Sequence, residues 1–564
     1  MPKFTDEERK RLEPYVTDTE SDVFAVRGLD GVVGAVFARY SRASTGFRET
    51  LLKEFVDEGQ IDAKKAADLI ERVLIAFGDD SVGELEGAHL SFENISVLAT
   101  KEIEDRRIGG SPIEKSTRYV LYDQKDDGGQ YRYYRDPDIM ASPLAKDYTT
   151  TMDFVFDTYS RLVEPMQQYY RGLKPMEEAE YDINGDGVKE KMSVLKEEND
   201  IKAFKITYRM DIRTKACDTL RYLLPLSTLT NVGIFGNGRF FQNMVSCLWT
   251  SDLPEANRLG DASKAQLDQV IPRYVKRACR NEYLATVRRN MGLLADRMLT
   301  GIEPEETDRI SLVDRSEADM ATYLSKTPVS VDSVRKALTA AEDDMILAQA
   351  LYPHARLPLT TLRGFVRRLS GEDRREIIRT YVGERQTRRD RPGRAFEAGY
   401  AWTFDCLTDF GTYKDIMRHR MTTQMRQRFT PLLGFEMPDD LAKAGFSAEA
   451  EACVARASEL YRLLESDFPA AAAYATLHGS KVRWLIGMND REAHHMIELR
   501  TTPQGHVSYR RACQEMHRLI RNRSPWRSDV LRFADHNDYF WSRADSEARQ
   551  RSEERQLEKK SEKT

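Results

Sequence analysis

Arg418-His419-Arg420 concentrates N–H donors and positive charge within three consecutive residues. Guanidinium groups suit phosphates, which they meet with paired hydrogen bonds, and electron-rich ring systems, on which they stack. Charged triplets also decorate solvated faces, so the spacing alone leaves both readings open. Arg106-Arg107-Ile108 opens a second run that continues through Ser111, Glu114, Ser116, Arg118 and Tyr119. A Ser-x-Arg pair entering a strand offers a hydroxyl, backbone N–H groups and a guanidinium to one phosphate. The same pair can cap a turn. Ser116 has no His or Asp near it in sequence to activate it as a nucleophile, which points to binding. His494 and His495 with Glu498 suggest a metal pair, but adjacent helical residues point about 100° apart and cannot easily share one ion. No metal site is expected. His506, in the Pro/Gly turn after Arg500, suits either contact with a ring system or turn capping.

These residues fall within an internal repeat. Residues 91–106, SFENISVLATKEIEDR, align without a gap on 403–418, TFDCLTDFGTYKDIMR. Phe92 meets Phe404, Glu93 meets Asp405, Ile95 meets Leu407, Ser96 meets Thr408, Thr100 meets Thr412, and Arg106 meets Arg418. Helical periodicity runs through 61–77, with Ala66, Leu69, Ile70, Val73 and Phe77 on one face, and through 146–172, 262–297, 332–350 and 449–466. Short β-like runs lie at 117–122 and 203–208. Helices outnumber strands, so the expected class is α+β or α/β. Residues 176–200 are polar and turn-rich and read as an insertion. There Asp182, Asn184, Asp186 and Gly187 match the opening of a calcium loop, but Ser193 stands where that loop needs a bidentate Glu. A solvated turn is the better reading.

The stretch 79–123 resembles the signature region of flavin-dependent thymidylate synthases, the ThyX family. Ser81, Glu84, Ser91, Phe92, Ser96, Arg106, Ser111, Glu114, Ser116, Arg118 and Tyr119 stand at or near that family's spacing. Residues 214–247 resemble its second block through Arg221, Leu224, Pro225, Asn237, Arg239 and Asn243. Residues 487–510 match the same block through Asn489 and Arg491 and add Arg500. Each half departs from the pattern differently. The first lacks the central His and last Arg of R-H-R and has Leu248 or Trp249 where Arg500 aligns. The second keeps R-H-R but has Thr423, Arg426, Arg428 and Thr430 where Ser, Glu, Ser and Arg are expected, and Ala473 in place of Arg221.

The resemblance implies two tandem units, each a small twisted sheet flanked by helices. Expected boundaries are 1–305 for the first, 306–332 for a linker, 333–543 for the second and 544–564 for a charged tail. It further implies reductive methylation of dUMP to dTMP, with methylenetetrahydrofolate supplying the carbon and NADPH reducing a bound FAD. The losses in the two halves are complementary, so one composite site is expected to draw on both. There Glu114, Ser116, Arg118, Arg221 and Arg500 would bind the nucleotide. Arg418, Arg420 and Ser116 form the catalytic set, Ser116 through binding. Arg418, His419 and Arg420, with Asn237, Arg239, Asn243, Asn489 and Arg491, would hold FAD. The alternatives are a degenerate flavin- or nucleotide-binding relative and a structural partner subunit. A fused pair is half of the family's tetramer, so a homodimer is expected.

The totals agree with such a chain. Its 86 basic and 91 acidic residues leave a net charge of −5, with no general pull towards nucleic acid or anionic membrane. Any anion site must then be a local arginine cluster. The six cysteines show no paired or zinc-like spacing, as in a reducing compartment. The N-terminus has no apolar signal region, and no stretch approaches 18 apolar residues. A cytoplasmic location follows as the expectation.

Overall fold

The computed structural model describes residues 4–541, apart from 30, 42, 58–59, 72–80, 107, 185, 314–320, 322, 327 and 388–389. The chain is α+β, with helices predominating over small sheets. It divides into two compact units: 1–95, 99–114 and 230–282 form the first; 96–98, 115–229 and 283 onward form the second.

The first unit carries a three-stranded sheet in the order Gly87–Ser96, Leu229–Asn237, Gly110–Glu114. The central strand buries Thr230, Val232, Ile234 and Gly236, while Phe235 is exposed, the period-two alternation of a sheet with one covered face. Asn237 ends this strand and caps the next helix, Gly238–Thr250, by accepting from Phe240 N at 2.8 Å. Phe240, Phe241, Met244, Val245 and Leu248 form that helix's buried stripe.

The second unit holds an antiparallel sheet in the order Thr423–Arg426, Lys481–Met488, Trp402–Asp409, Ile310–Leu312. Trp402, Phe404, Cys406, Trp484, Ile486 and Met488 are buried in it. Asp409 caps the helix that follows its strand, Phe410–Ile416, accepting from Thr412 N at 2.9 Å. Asn489 likewise caps the helix Asp490–Arg500, accepting from Glu492 N at 3.0 Å. Both sheets thus share one order: the strand leading into the asparagine-capped helix lies between the two strands of the preceding block.

Aligning Arg221 on Ala473 also brings Tyr222 onto Tyr474, Leu224 onto Thr476, Pro225 onto Leu477, Leu226 onto His478 and Ser227 onto Gly479. These segments pair with each other inside the second unit. Leu226 N donates to Thr476 O and His478 N to Leu224 O, both at 2.8 Å. Ser227 N donates to Tyr474 O at 3.2 Å, and Gly479 N to Tyr222 O at 2.9 Å. Pro225 and Leu477 bridge at the centre. Exchanging the two segments turns each bond into its mate, the pattern of a local two-fold axis. At Gly479 a Cβ would fall 2.4 Å from the Phe435 ring and 2.9 Å from that of Tyr222. Gly479→Ala is therefore expected to cost about 1–3 kcal/mol, read as a lower urea midpoint, because the Phe435 and Tyr222 rings leave no room.

Several expectations need correction. Residues 117–122 form no strand: Thr117–Tyr119 turn, with Tyr119 N and Val120 N both donating to Ser116 O. Residues 203–208 lie inside the helix Glu198–Leu220, because Phe204, Thr207, Tyr208, Asp211 and Ile212 are buried at helical rather than alternating spacing. The 262–297 period is broken into Pro254–Val270, Pro272–Val275 and Glu282–Leu299, with Pro272 opening the middle piece. Ala145–Leu173, Val331–Leu351 and Ser447–Glu465 match their expected helices. The helix of 61–77 is seen as Ala63–Glu71; Val73 and Phe77, like the tail 544–564, lie outside the described residues. In 176–200, Glu180–Tyr181 pairs with Glu190–Lys191. Asp182 and Asp186 there accept from Gly187 N and Val188 N, closing the turn. The expected linker includes the edge strand Ile310–Leu312.

Candidate functional site

A cluster of arginines and carboxylates from both repeats meets inside the second unit. Ser116 Oγ accepts from Arg118 N at 3.3 Å, so the hydroxyl shapes the turn that carries Arg118. Arg118 Nε and Nη2 donate to the two oxygens of Asp218 at 2.6 and 2.7 Å, a bidentate pair. Its Nη1 donates to Gln504 O at 3.4 Å, joining the first repeat to the turn after Arg500. Asp218 lies in the last turn of the helix Glu198–Leu220, and Arg221 follows directly. Arg221 is only 2% exposed; both its Nη groups donate to Asp415 Oδ2 at 3.3 Å. Its Nε is buried with no hydrogen-bond partner among the described residues.

Burial alone would raise the pKa of both carboxylates. The neighbouring guanidinium groups win, Arg118 beside Asp218 and Arg221 beside Asp415, and hold both below the usual range. The exposed Arg418 adds to the effect on Asp415. A depressed folded-state pKa keeps the group ionised to lower pH than in the unfolded chain. The stabilisation is thus full above the unfolded value of about 3.9 and is lost as pH falls through the folded one. The urea midpoint should accordingly drop as pH falls below about 4, and a D218N/D415N variant should show a shallower drop.

His506 is buried and caps the helix Val507–Arg523: its Nδ1 accepts from Ser508 N at 3.2 Å, so Nε2 carries the proton towards Asp218 O, also at 3.2 Å. Burial and then the Arg221 charge press its pKa down to about 3, leaving it neutral. The capping role expected for His506 is seen here at the start of a helix.

His419, 4% exposed, has both ring nitrogens engaged. Nδ1 lies 2.9 Å from Glu492 Oε1, and Nε2 accepts from Arg500 Nε at 2.8 Å. The Arg500 guanidinium also lies over the Tyr509 ring, 5.6 Å from its centroid. His419, Glu492 and His495 bring three ligand-type atoms within 4.8 Å of one another, a grouping the sequence spacing did not reveal. Arg500's donation to Nε2 leaves the His419 proton on Nδ1. Within the trio Glu492 is hydrogen-bonded to His419, while His495 Nδ1 lies 3.6 Å from Glu492 Oε2.

The remaining expected residues do local work or are exposed. Glu114 belongs to the first unit and is buried, 3.3 Å from Lys101 Nζ, which also holds Glu104 at 2.6 Å. Also in that unit, Arg239 pairs with Glu84, Asn237 caps its helix and Asn243 is exposed. Asn489 is a cap, while Arg491 and Arg420 are exposed. Sequence reasoning missed Asp218, Asp415 and Glu492. The first two stand three residues before an arginine already singled out, Arg221 and Arg418, a helical spacing that could have flagged them.

Comparison with known proteins supports the same lineage. The family model described as thymidylate synthase complementing protein matches residues 32–273 and again 347–526. The chain is 34% identical to a UPF0159 protein of Chlamydia muridarum over 566 residues, 97% of this chain and 99% of that one. It is 36% identical to a UPF0159 protein of Chlamydia pneumoniae, covering 97% and 98%. A UPF0159 protein of Thermoplasma acidophilum is 30% identical, covering 92% and 98%. The chain belongs to the thymidylate synthase complementing protein family.

Proposed function

We propose that the chain is an FAD-dependent thymidylate synthase. It would convert dUMP to dTMP with methylenetetrahydrofolate and NADPH at one composite site drawn from two tandem copies of a single unit. The observation that carries this is the bonding of Arg118 and Arg221 from the first repeat to Gln504 and Asp415 of the second, whose Arg500 donates to His419. The reciprocal bonds about Pro225 and Leu477, and the shared strand order, favour the tandem origin.

A nucleotide monophosphate is a dianion, and a chain of net charge −5 can attract it only through such a cluster. Arg118, Arg221 and Arg500 would hold the phosphate, Ser116 fixing the turn that presents Arg118. The orphaned Nε of Arg221 is a donor awaiting an acceptor. Arg418 and Arg420 are exposed cations whose guanidinium groups would suit FAD's ring carbonyls, and Arg491 would suit its diphosphate. Bound there, the flavin would supply the hydride. The same arginines would stabilise negative charge as it grows on the pyrimidine carbonyls.

The equivalent positions of the other half carry Arg106 and Ile108 for Arg418 and Arg420, Ala473 for Arg221, Leu248 or Trp249 for Arg500, and Arg428 and Thr430 for Ser116 and Arg118. One competent site per chain follows, and a homodimer would complete the pseudo-tetramer. Among the described residues no helix is long and apolar enough to cross a membrane; a cytoplasmic enzyme fits this reading. Calorimetric titration with dUMP and with deoxyuridine tests it. Tight dUMP binding at one site, weak deoxyuridine binding, and no change in Arg428→Ala support the reading. Equal affinity for both ligands would refute the phosphate clamp.

A further inference from the structure

The nucleotide reading assigns the phosphate to three arginines, but their surroundings differ. Arg118 and Arg221 spend donors on Asp218 and Asp415. Arg500 gives only Nε to the protein, and its two Nη groups make no hydrogen bond to another described residue. What holds Arg500 is a neutral histidine rather than a carboxylate. An N–H donor needs a lone pair, so His419 must present Nε2 unprotonated and carry its proton on Nδ1. Glu492 Oε1 stands 2.9 Å from that Nδ1 and is the acceptor that favours this tautomer. Glu492 is itself oriented by its place in the first turn of the helix Asp490–Arg500, where Asn489 caps its N–H. Helix and histidine thereby fix Arg500 from both ends.

Resting on the nucleotide reading, we propose that Glu492 is a positioning residue of the phosphate clamp. By keeping the His419 proton on Nδ1 it makes Nε2 the anchor for Arg500 Nε, so that both Nη groups face an oxyanion. A direct carboxylate partner would compete with that oxyanion for the guanidinium; an imidazole acceptor orients it without adding negative charge. Burial, the first influence on His419, keeps the ring neutral against the pull of Glu492, with Arg500 and His495 acting in the same direction as burial.

The test uses the full chain labelled with nitrogen-15 at histidine, with a His419→Gln variant identifying the His419 signals. The expected spectrum shows the Nδ1–H tautomer in the wild type, a loss of that preference in Glu492→Ala, and its retention in Glu492→Gln, which keeps an acceptor oxygen. Titration with dUMP and deoxyuridine gives the second readout. Glu492→Ala should weaken dUMP binding by about tenfold and leave deoxyuridine unchanged, with Glu492→Gln close to wild type. The double variant E492A/R500A should bind dUMP no more weakly than Arg500→Ala alone, because both changes remove one interaction. An Nε2–H tautomer in the wild type, or additive losses in the double variant, overturns the proposal. If the wild type binds no dUMP, the nucleotide reading fails while the nitrogen spectrum still decides the role of Glu492.

Discussion

Arg118→Ala is expected to lower kcat/KM for dUMP by about a hundredfold or more, with the loss visible in both dUMP binding and dTMP formation. The guanidinium stands where the Ser116 turn, the Asp218 pair and the backbone of Gln504 converge. Removing it deletes a charge-assisted donor pair from a phosphate, a contribution of about 3 kcal/mol, and leaves the Asp218 carboxylate facing the incoming dianion. Arg118→Lys should recover little, since an ammonium cannot span both oxygens of Asp218 and still reach a ligand. Pairing Arg118→Ala with Asp218→Asn separates the two effects. The double variant should regain stability, because no buried charge is stranded, but not activity. Wild-type kcat/KM in Arg118→Ala would remove this arginine from the site.

Asp415→Ala should be among the most destabilising single changes in the second unit, by about 3–5 kcal/mol in urea unfolding. Its side chain is 16% exposed and that of Arg221 2%, so water cannot replace the carboxylate. The Nε of Arg221 is already without a partner among the described residues, and deletion of Asp415 would strand the other donors as well. Asp415→Asn keeps an acceptor oxygen and should lose roughly half as much. A loss below about 1 kcal/mol in Asp415→Ala would show that Arg221 is held by something other than this pair.

The candidate site was partly legible because phosphate chemistry restricts residue types. Arg118, Arg221, His419 and Arg500 are conspicuous by type and spacing, and the repeat showed that neither half holds them all. The carboxylates that hold them were not conspicuous, since acidic residues abound in a chain with 91 of them and only the fold says which are buried beside a guanidinium. Asn237 and Asn489 show the converse limit. Their equivalence was readable, but their side-chain oxygens serve helix caps, a role any Asn before a helix can take. The long helices followed from periodicity. The runs at 117–122 and 203–208 did not become strands, because β-branched and aromatic residues also build helix faces and turns when the neighbouring packing demands it. The order of the two sheets, with the late strand in the centre, depends on long-range pairing that local pattern does not encode.

The most direct measurement is the visible spectrum of the purified chain after addition of FAD, followed by NADPH reduction and assay of dTMP from dUMP and methylenetetrahydrofolate. The composite-site account predicts one flavin per chain, bleaching with NADPH, and dTMP production that disappears in Arg118→Ala and persists in Arg428→Ala. A chain that takes up no FAD, or that makes dTMP equally well without Arg118, would contradict it.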